Sequence, residues 1–243
     1  MSDATPSSDT LNDFASEPVA ARRVVVLISG SGSNLQALID EQTHDRLGGE
    51  IVAVISNEPD AYGLTRAREA GIDAVALPHR EYDSREAYDG ALIKVIERHE
   101  PDLIVLAGFM RILTPRFVQR FLGRMLNIHP SLLPAYQGLN THARALADGV
   151  AMHGCSVHFV TEELDGGPVV IQAAVDVAEG ETEASLKEKV HAREHLIYPI
   201  AVKWFLEGRL RFSAEGATLD STPLPPRGVR LSHADAAEEL DEN

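Results

Sequence analysis

Asn127 and His129 stand two residues apart at the end of an apolar run, in the segment Met125-Leu126-Asn127-Ile128-His129-Pro130-Ser131-Leu132-Leu133-Pro134. In a strand, residues i and i+2 share a face, so the amide and the imidazole project together while Leu126 and Ile128 face the other way. An asparagine amide can stabilise a carbonyl oxygen that turns negative under attack, and such a donor is worth on the order of 100- to 1000-fold in rate. Histidine titrates near neutrality and can carry protons. The pair therefore suits transfer at a carbonyl carbon. Pro130 ends the strand, and the carboxyl end of a strand is where open α/β sheets place ligands. Asp165, in Glu163-Leu164-Asp165-Gly166-Gly167, is first of all a hairpin-turn signal. Beside His129, its carboxylate would favour the imidazolium by charge pairing.

Ser29-Gly30-Ser31-Gly32-Ser33-Asn34 follows an apolar run and opens a helical pattern. This is the position of a dinucleotide fingerprint, but Leu35 stands where the third glycine would be, and no Lys-Ser/Thr pair follows to make a P-loop. Small residues and free N–H groups at a helix start suit a phosphate monoester, and a tight structural turn is the alternative. Gly108-Phe109-Met110-Arg111-Ile112-Leu113 sets one arginine among apolar residues after another apolar run. Arg85 lies near the start of a helix, where an arginine is ordinarily solvated. The histidines His142, His153, His158, His191 and His195 lack a metal-ligand spacing; His191 and His195 are four apart but form no HExxH pattern. No metal is expected.

The elements that must position these residues follow from periodicity. Arg23 to Ser29, Ile51 to Ile55, Ala74 to Leu77, Leu103 to Ala107 and Met125 to Ile128 read as strands. Helices are predicted from Leu35 to Ile39, from Leu64 to Ala70, and from a capping box at Asp83 and Glu86 to about Glu100. Another begins at Thr114-Pro115, with threonine as cap and proline in the first turn. Strand alternating with helix implies parallel pairing with right-handed crossovers. Cys155 to Val160 and Pro168 to Val177 flank an Asp-Gly-Gly turn and predict an antiparallel far edge. Thr182 caps a last long helix with Leu186, Val190, Ile197 and Trp204 as its buried stripe.

The chain has 243 residues and a formal charge of −15, of which residues 1–21 and 214–243 carry −9. The remaining −6 argues against a nucleic-acid footprint but leaves room for a small anionic substrate. No apolar run approaches the roughly 20 residues that span a bilayer, and the N-terminus lacks a signal peptide's pattern. A cytoplasmic protein without membrane or nucleic-acid partners is expected. The lone Cys155 reads as a buried small hydrophobe. The organisation predicted is an acidic tail over 1–22, one domain over 23–213, and a Pro-containing acidic tail over 214–243, both tails loosely attached.

LISGSGSNLQAL, AGFMRIL, NIHPSLLP and VHFVTEELDGGPVVIQ together resemble the folate-dependent formyltransferases, most closely the purine-biosynthetic branch, over about residues 23–213. The resemblance implies a single-domain Rossmann-like formyltransferase fold, with a mostly parallel twisted sheet, helices on both faces and an antiparallel C-terminal edge. It implies transfer of a formyl group from 10-formyltetrahydrofolate to the glycine amine of glycinamide ribonucleotide. Asn127, His129 and Asp165 would be catalytic. Gly32, Ser33, Asn34 and Glu194 would hold the ribonucleotide, and Arg85, Met110, Arg111, Ile112, Leu113 and Asn127 the folate. A monomer or homodimer acting on small molecules fits. Relatives sharing the Asn-x-His and Asp pattern act on charged tRNA, with an extra C-terminal domain and a more basic surface, or hydrolyse formyltetrahydrofolate, commonly with an N-terminal regulatory domain. A binding module without catalysis is the reading from a different class.

Overall fold

The structure, a computed structural model, describes residues 22–213 and 215–230. In chain order the elements are β1 (Arg23–Ile28), α1 (Ser33–Thr43), β2 (Glu50–Ser56), α2 (Tyr62–Glu69), β3 (Asp73–Ala76), α3 (Arg85–Glu97), β4 (Leu103–Leu106), α4 (Pro115–Arg120) and β5 (Met125–His129). There follow α5 (Thr141–Ala147), β6 (Met152–Phe159), β7 (Val169–Asp176), α6 (Glu183–Leu206), β8 (Leu210–Ser213), β9 (Gly216–Leu219), β10 (Thr222–Pro223) and β11 (Val229–Arg230). Eight strands form one sheet in the order β11-β7-β6-β5-β4-β1-β2-β3, and β8, β9 and β10 form a small antiparallel sheet beside it.

The pleat divides the core. Val24, Val26 and Ile28 of β1 face a cluster with the buried side of α6 and α1, whereas Val25 and Leu27 face Tyr88 and Leu92 of α3 and Phe117 of α4. A strand apolar on both faces is what burial between two helical layers demands. The α6 stripe of Leu186, Val190, Ile197 and Trp204 is buried as expected. Leu126 and Ile128 join the α6 side, so Asn127 and His129 share the opposite face.

β3, β2, β1, β4 and β5 pair in parallel, and β6 then runs antiparallel to β5 and to β7. The sheet order reverses direction between β1 and β4, which opens a crevice at their carboxyl ends. Thr114 and Thr182 cap α4 and α6 by accepting from Phe117 N and Ser185 N.

The antiparallel far edge expected from the sequence is formed by β6 and β7, and β11 adds to β7 in parallel beyond it. Two expectations are corrected. The cap of α3 is Ser84, whose hydroxyl accepts from Ala87 N, and Asp83 lies one residue outside. Residues 216–230 are also not a loosely attached tail, since they carry β9, β10 and β11. The expected looseness of 1–21 and 231–243 lies outside the described residues. Among the described residues no helix is long and apolar enough to cross a membrane.

Candidate active site

Pro130 and the loop behind it turn the chain back under His129, whose Nε2 lies 2.9 Å from the carbonyl oxygen of Tyr136. A carbonyl only accepts, so Nε2 carries a hydrogen and donates. The other ring nitrogen, Nδ1, faces Asp165 Oδ2 at 3.5 Å, with both side chains almost fully buried. Asp165 is held in turn by the Gly138 backbone N–H, which donates to Oδ2 at 2.9 Å, and it occupies the left-handed region at φ 50°. Aspartate tolerates that conformation better than most residues, which suits it to this turn.

Asn127 pairs across the β5–β6 register with His158. Its amide nitrogen lies 3.0 Å from His158 Nε2, while His158 Nδ1 lies 2.9 Å from the Phe159 carbonyl oxygen. Nδ1 therefore donates to the carbonyl, and Nε2 accepts from Asn127. Complete burial depresses the His158 pKa, so the ring stays neutral and keeps that accepting lone pair. One Asn127 N–H is thereby fixed and the second is left for a ligand oxygen. His158 Nε2 is also 3.7 Å from Asp165 Oδ1, which links the three expected catalytic residues through a fourth. His158 carries no metal-ligand spacing in the sequence, and its contact with Asn127 comes from the cross-strand register.

The Gly-Ser segment forms a second part of the cleft. Gly32 has φ 70°, and an added Cβ would lie 2.7 Å from Gly63 Cα, so only glycine fits there. α1 begins immediately after it with no side-chain cap on its first N–H groups. Asn34 donates from Nδ2 to Glu194 Oε2 at 2.9 Å, which brings together two residues expected at the ribonucleotide. Burial raises the Glu194 pKa to about 7, against the lowering effect of the Asn34 hydrogen bond. Asn34 Oδ1 is buried with no hydrogen-bond partner among the described residues, and His191 Nε2 stands 3.8 Å from Glu194.

The 108–114 loop closes the third side. The Met110 N–H donates to Ser29 Oγ at 2.8 Å, Arg111 stacks 4.6 Å over the Tyr88 ring, and Asp89 accepts from Thr114 N at 2.7 Å. Met110 and Ile112 project outward, 73% and 59% exposed, while the Arg111 Nε is buried and unpartnered. Leu113 is half-buried. Arg85 is the exposed first residue of α3, one turn before Tyr88. Ser29 ties this loop to the Gly-Ser segment, and Tyr88 and Asp89 are supports that the motifs did not single out. Cys155 is buried with its thiol pushed up by burial, the nearby Glu194 carboxyl adding to the rise. Among the described residues no three His, Cys, Asp or Glu are arranged to hold a metal.

Residues 22–202 match the family model described as Formyl transferase. The chain is 55% identical over 205 residues to phosphoribosylglycinamide formyltransferase of Escherichia coli K12, covering 84% of this chain and 97% of that one. It is 46% identical over 205 residues to the human trifunctional purine biosynthetic protein adenosine-3, covering 84% of this chain and 20% of that longer protein. The solved phosphoribosylglycinamide formyltransferase of Coxiella burnetii is 50% identical with a TM-score of 0.83, covering 87% of this chain and all (100%) of that one.

Proposed function

The chain belongs to the formyl transferase family, and we infer from that membership that its cleft transfers the formyl group of 10-formyltetrahydrofolate to the amine of 5'-phosphoribosylglycinamide. The products are formylglycinamide ribonucleotide and tetrahydrofolate, a step of de novo purine biosynthesis. The observation that carries this reading at the level of chemistry is the fixed Asn127 amide beside the His129–Asp165 pair.

We assign the roles as follows. When bound, 10-formyltetrahydrofolate supplies the formyl carbon, and its amine N10 is the leaving group. The ribonucleotide amine bonds to that carbon directly, so the enzyme needs no nucleophile of its own. The free N–H of Asn127 meets the oxygen as it becomes negative, and pre-set donors of this kind are effective because they need no reorganisation. His129 exchanges the proton that must leave the attacking nitrogen and reach N10 when the C–N10 bond breaks. With Nε2 tied to the Tyr136 carbonyl, exchange runs through the Nδ1 edge, where Asp165 stabilises the charged ring. Gly32, Ser33 and the α1 N-terminus receive the phosphate, and Asn34 with Glu194 meets the sugar end. The folate ring fits against Met110, Arg111, Ile112 and Leu113, whose outward apolar groups and unpartnered Arg111 Nε call for a flat ligand with polar edges. Arg85, at the exposed start of α3, is the remaining folate contact.

We place the protein in the cytoplasm as a monomer or homodimer without nucleic-acid or membrane partners. Mixing purified protein with 10-formyltetrahydrofolate, with and without the ribonucleotide, tests the reading. Tetrahydrofolate released in step with formylated product, only when the amine is present, is expected; release without the amine would make the chain a hydrolase.

A further inference from the structure

A cavity of about 460 Å³ lies outside the substrate cleft, between the Leu132–Tyr136 turn and the β6, β7 and β11 edge. None of the residues assigned above to catalysis, ribonucleotide or folate lines it. Its volume is in the range that holds small organic molecules. Three features of its wall are chemically unfinished or complementary.

First, Gln172 is buried, with Nε2 donating to the Leu133 carbonyl at 2.8 Å and to Ser156 Oγ at 2.9 Å. Because the Leu133 carbonyl only accepts, the amide nitrogen must face it, and Oε1 is then left as a buried acceptor without a partner. A buried acceptor in that state calls for a donor. Second, Arg227 and Arg230 reach the cavity, and their guanidinium groups form no ion pair among the described residues. The acid on the adjoining loop, Asp148, is already bound by the Tyr136 hydroxyl at 2.9 Å. Third, Leu132, Pro134, Val150 and Met152 make the remaining wall apolar. The wall histidine is satisfied internally, its Nε2 3.2 Å from His142 Nδ1 and its other nitrogen on the Pro130 carbonyl.

We propose that this cavity is a second ligand site, for a small organic carboxylate with an apolar ring-sized body and one hydrogen-bond donor. The arginines hold the carboxylate, the apolar wall takes the ring, and the Gln172 oxygen accepts from the donor. Bidentate contact with carboxylates is what guanidinium groups do best.

The test is calorimetric titration of the full chain with phenylacetate, 4-hydroxyphenylacetate and indole-3-acetate, each repeated after saturating the protein with ribonucleotide and a folate analogue. Expected are one site per chain that survives saturation of the cleft, and tighter binding of the two donor-bearing acids than of phenylacetate. Indole-3-acetamide, which lacks the charge, should bind at least about 10-fold more weakly, as should indole-3-acetate to an Arg227→Ala/Arg230→Ala variant. Absence of binding by all three acids, equal affinity for acid and amide, or displacement by the substrates would overturn the proposal. Binding seen only after residues 231–243 are removed would also overturn it, by assigning the arginines to that acidic segment.

Discussion

Glu194 is the residue whose chemistry makes the sharpest solution prediction. A carboxyl with its pKa raised from 4.5 to about 7 binds its proton more tightly folded than unfolded. Its contribution is therefore neutral at low pH, and stability is lost as pH rises from the unfolded value through the folded one. Each unit corresponds to about 1.4 kcal/mol, so the cost above neutrality is on the order of 3 kcal/mol. Glu194→Gln should become more stable relative to the parent between about pH 5 and pH 8, measured as the difference in denaturant midpoints; a difference that stays flat would contradict the burial argument. Asn127 and His129 were legible in the sequence because strand periodicity alone puts i and i+2 on one face. His158 was not, because its contact with Asn127 depends on the antiparallel register between β5 and β6, which local pattern does not specify. Nor could spacing show that the Tyr136 carbonyl fixes which His129 nitrogen is free.

At the scale of elements, the N-terminus of α1 has the plainest task. Ser33 is its first residue, beside the left-handed Gly32 and free of any side-chain cap. Ser33→Ala should weaken ribonucleotide binding by about 10-fold, the loss of a charge-assisted hydrogen bond, with folate affinity unchanged. Direct titration with each ligand separates the two, and an effect on folate alone would remove Ser33 from the phosphate. Helices with a side-chain cap were readable whatever their length: Thr114-Pro115 and Thr182 start theirs where expected. α5 was not. It has seven residues and an asparagine cap in left-handed conformation with no side-chain cap bond, so it shows little of the usual signal. At α3, Asp83 and Glu86 gave the spacing of a capping box, yet Ser84 does the capping, a one-residue shift between two good cap formers.

At the scale of the whole molecule, the central parallel strands followed from alternating strand and helix patterns, whereas the strand order, with the reversal between β1 and β4 that sets the cleft at the carboxyl ends, depends on long-range pairing that local pattern does not specify. The antiparallel pairing of β6 with β7 followed from the turn between them, but β11 did not, because it is two residues long and gains its place only by pairing with β7. Gly228 permits that pairing: its φ is +65°, and a Cβ would lie 2.4 Å from the Val170 carbonyl oxygen. Gly228→Ala should lower stability by about 1–3 kcal/mol in denaturant titration, and an unchanged midpoint would mean that β11 does not belong to the cooperative fold. The central claim is that Asn127, His129 and Asp165 act as one unit in formyl transfer, and the turnover of His129→Ala, Asp165→Asn and the double variant tests it most directly. Each single change should lower kcat by at least about 100-fold with the fold intact, and the double variant should fall within a few-fold of the worse single one, as for groups that work together. Near-normal turnover in either single variant, or losses that multiply in the double, would contradict it.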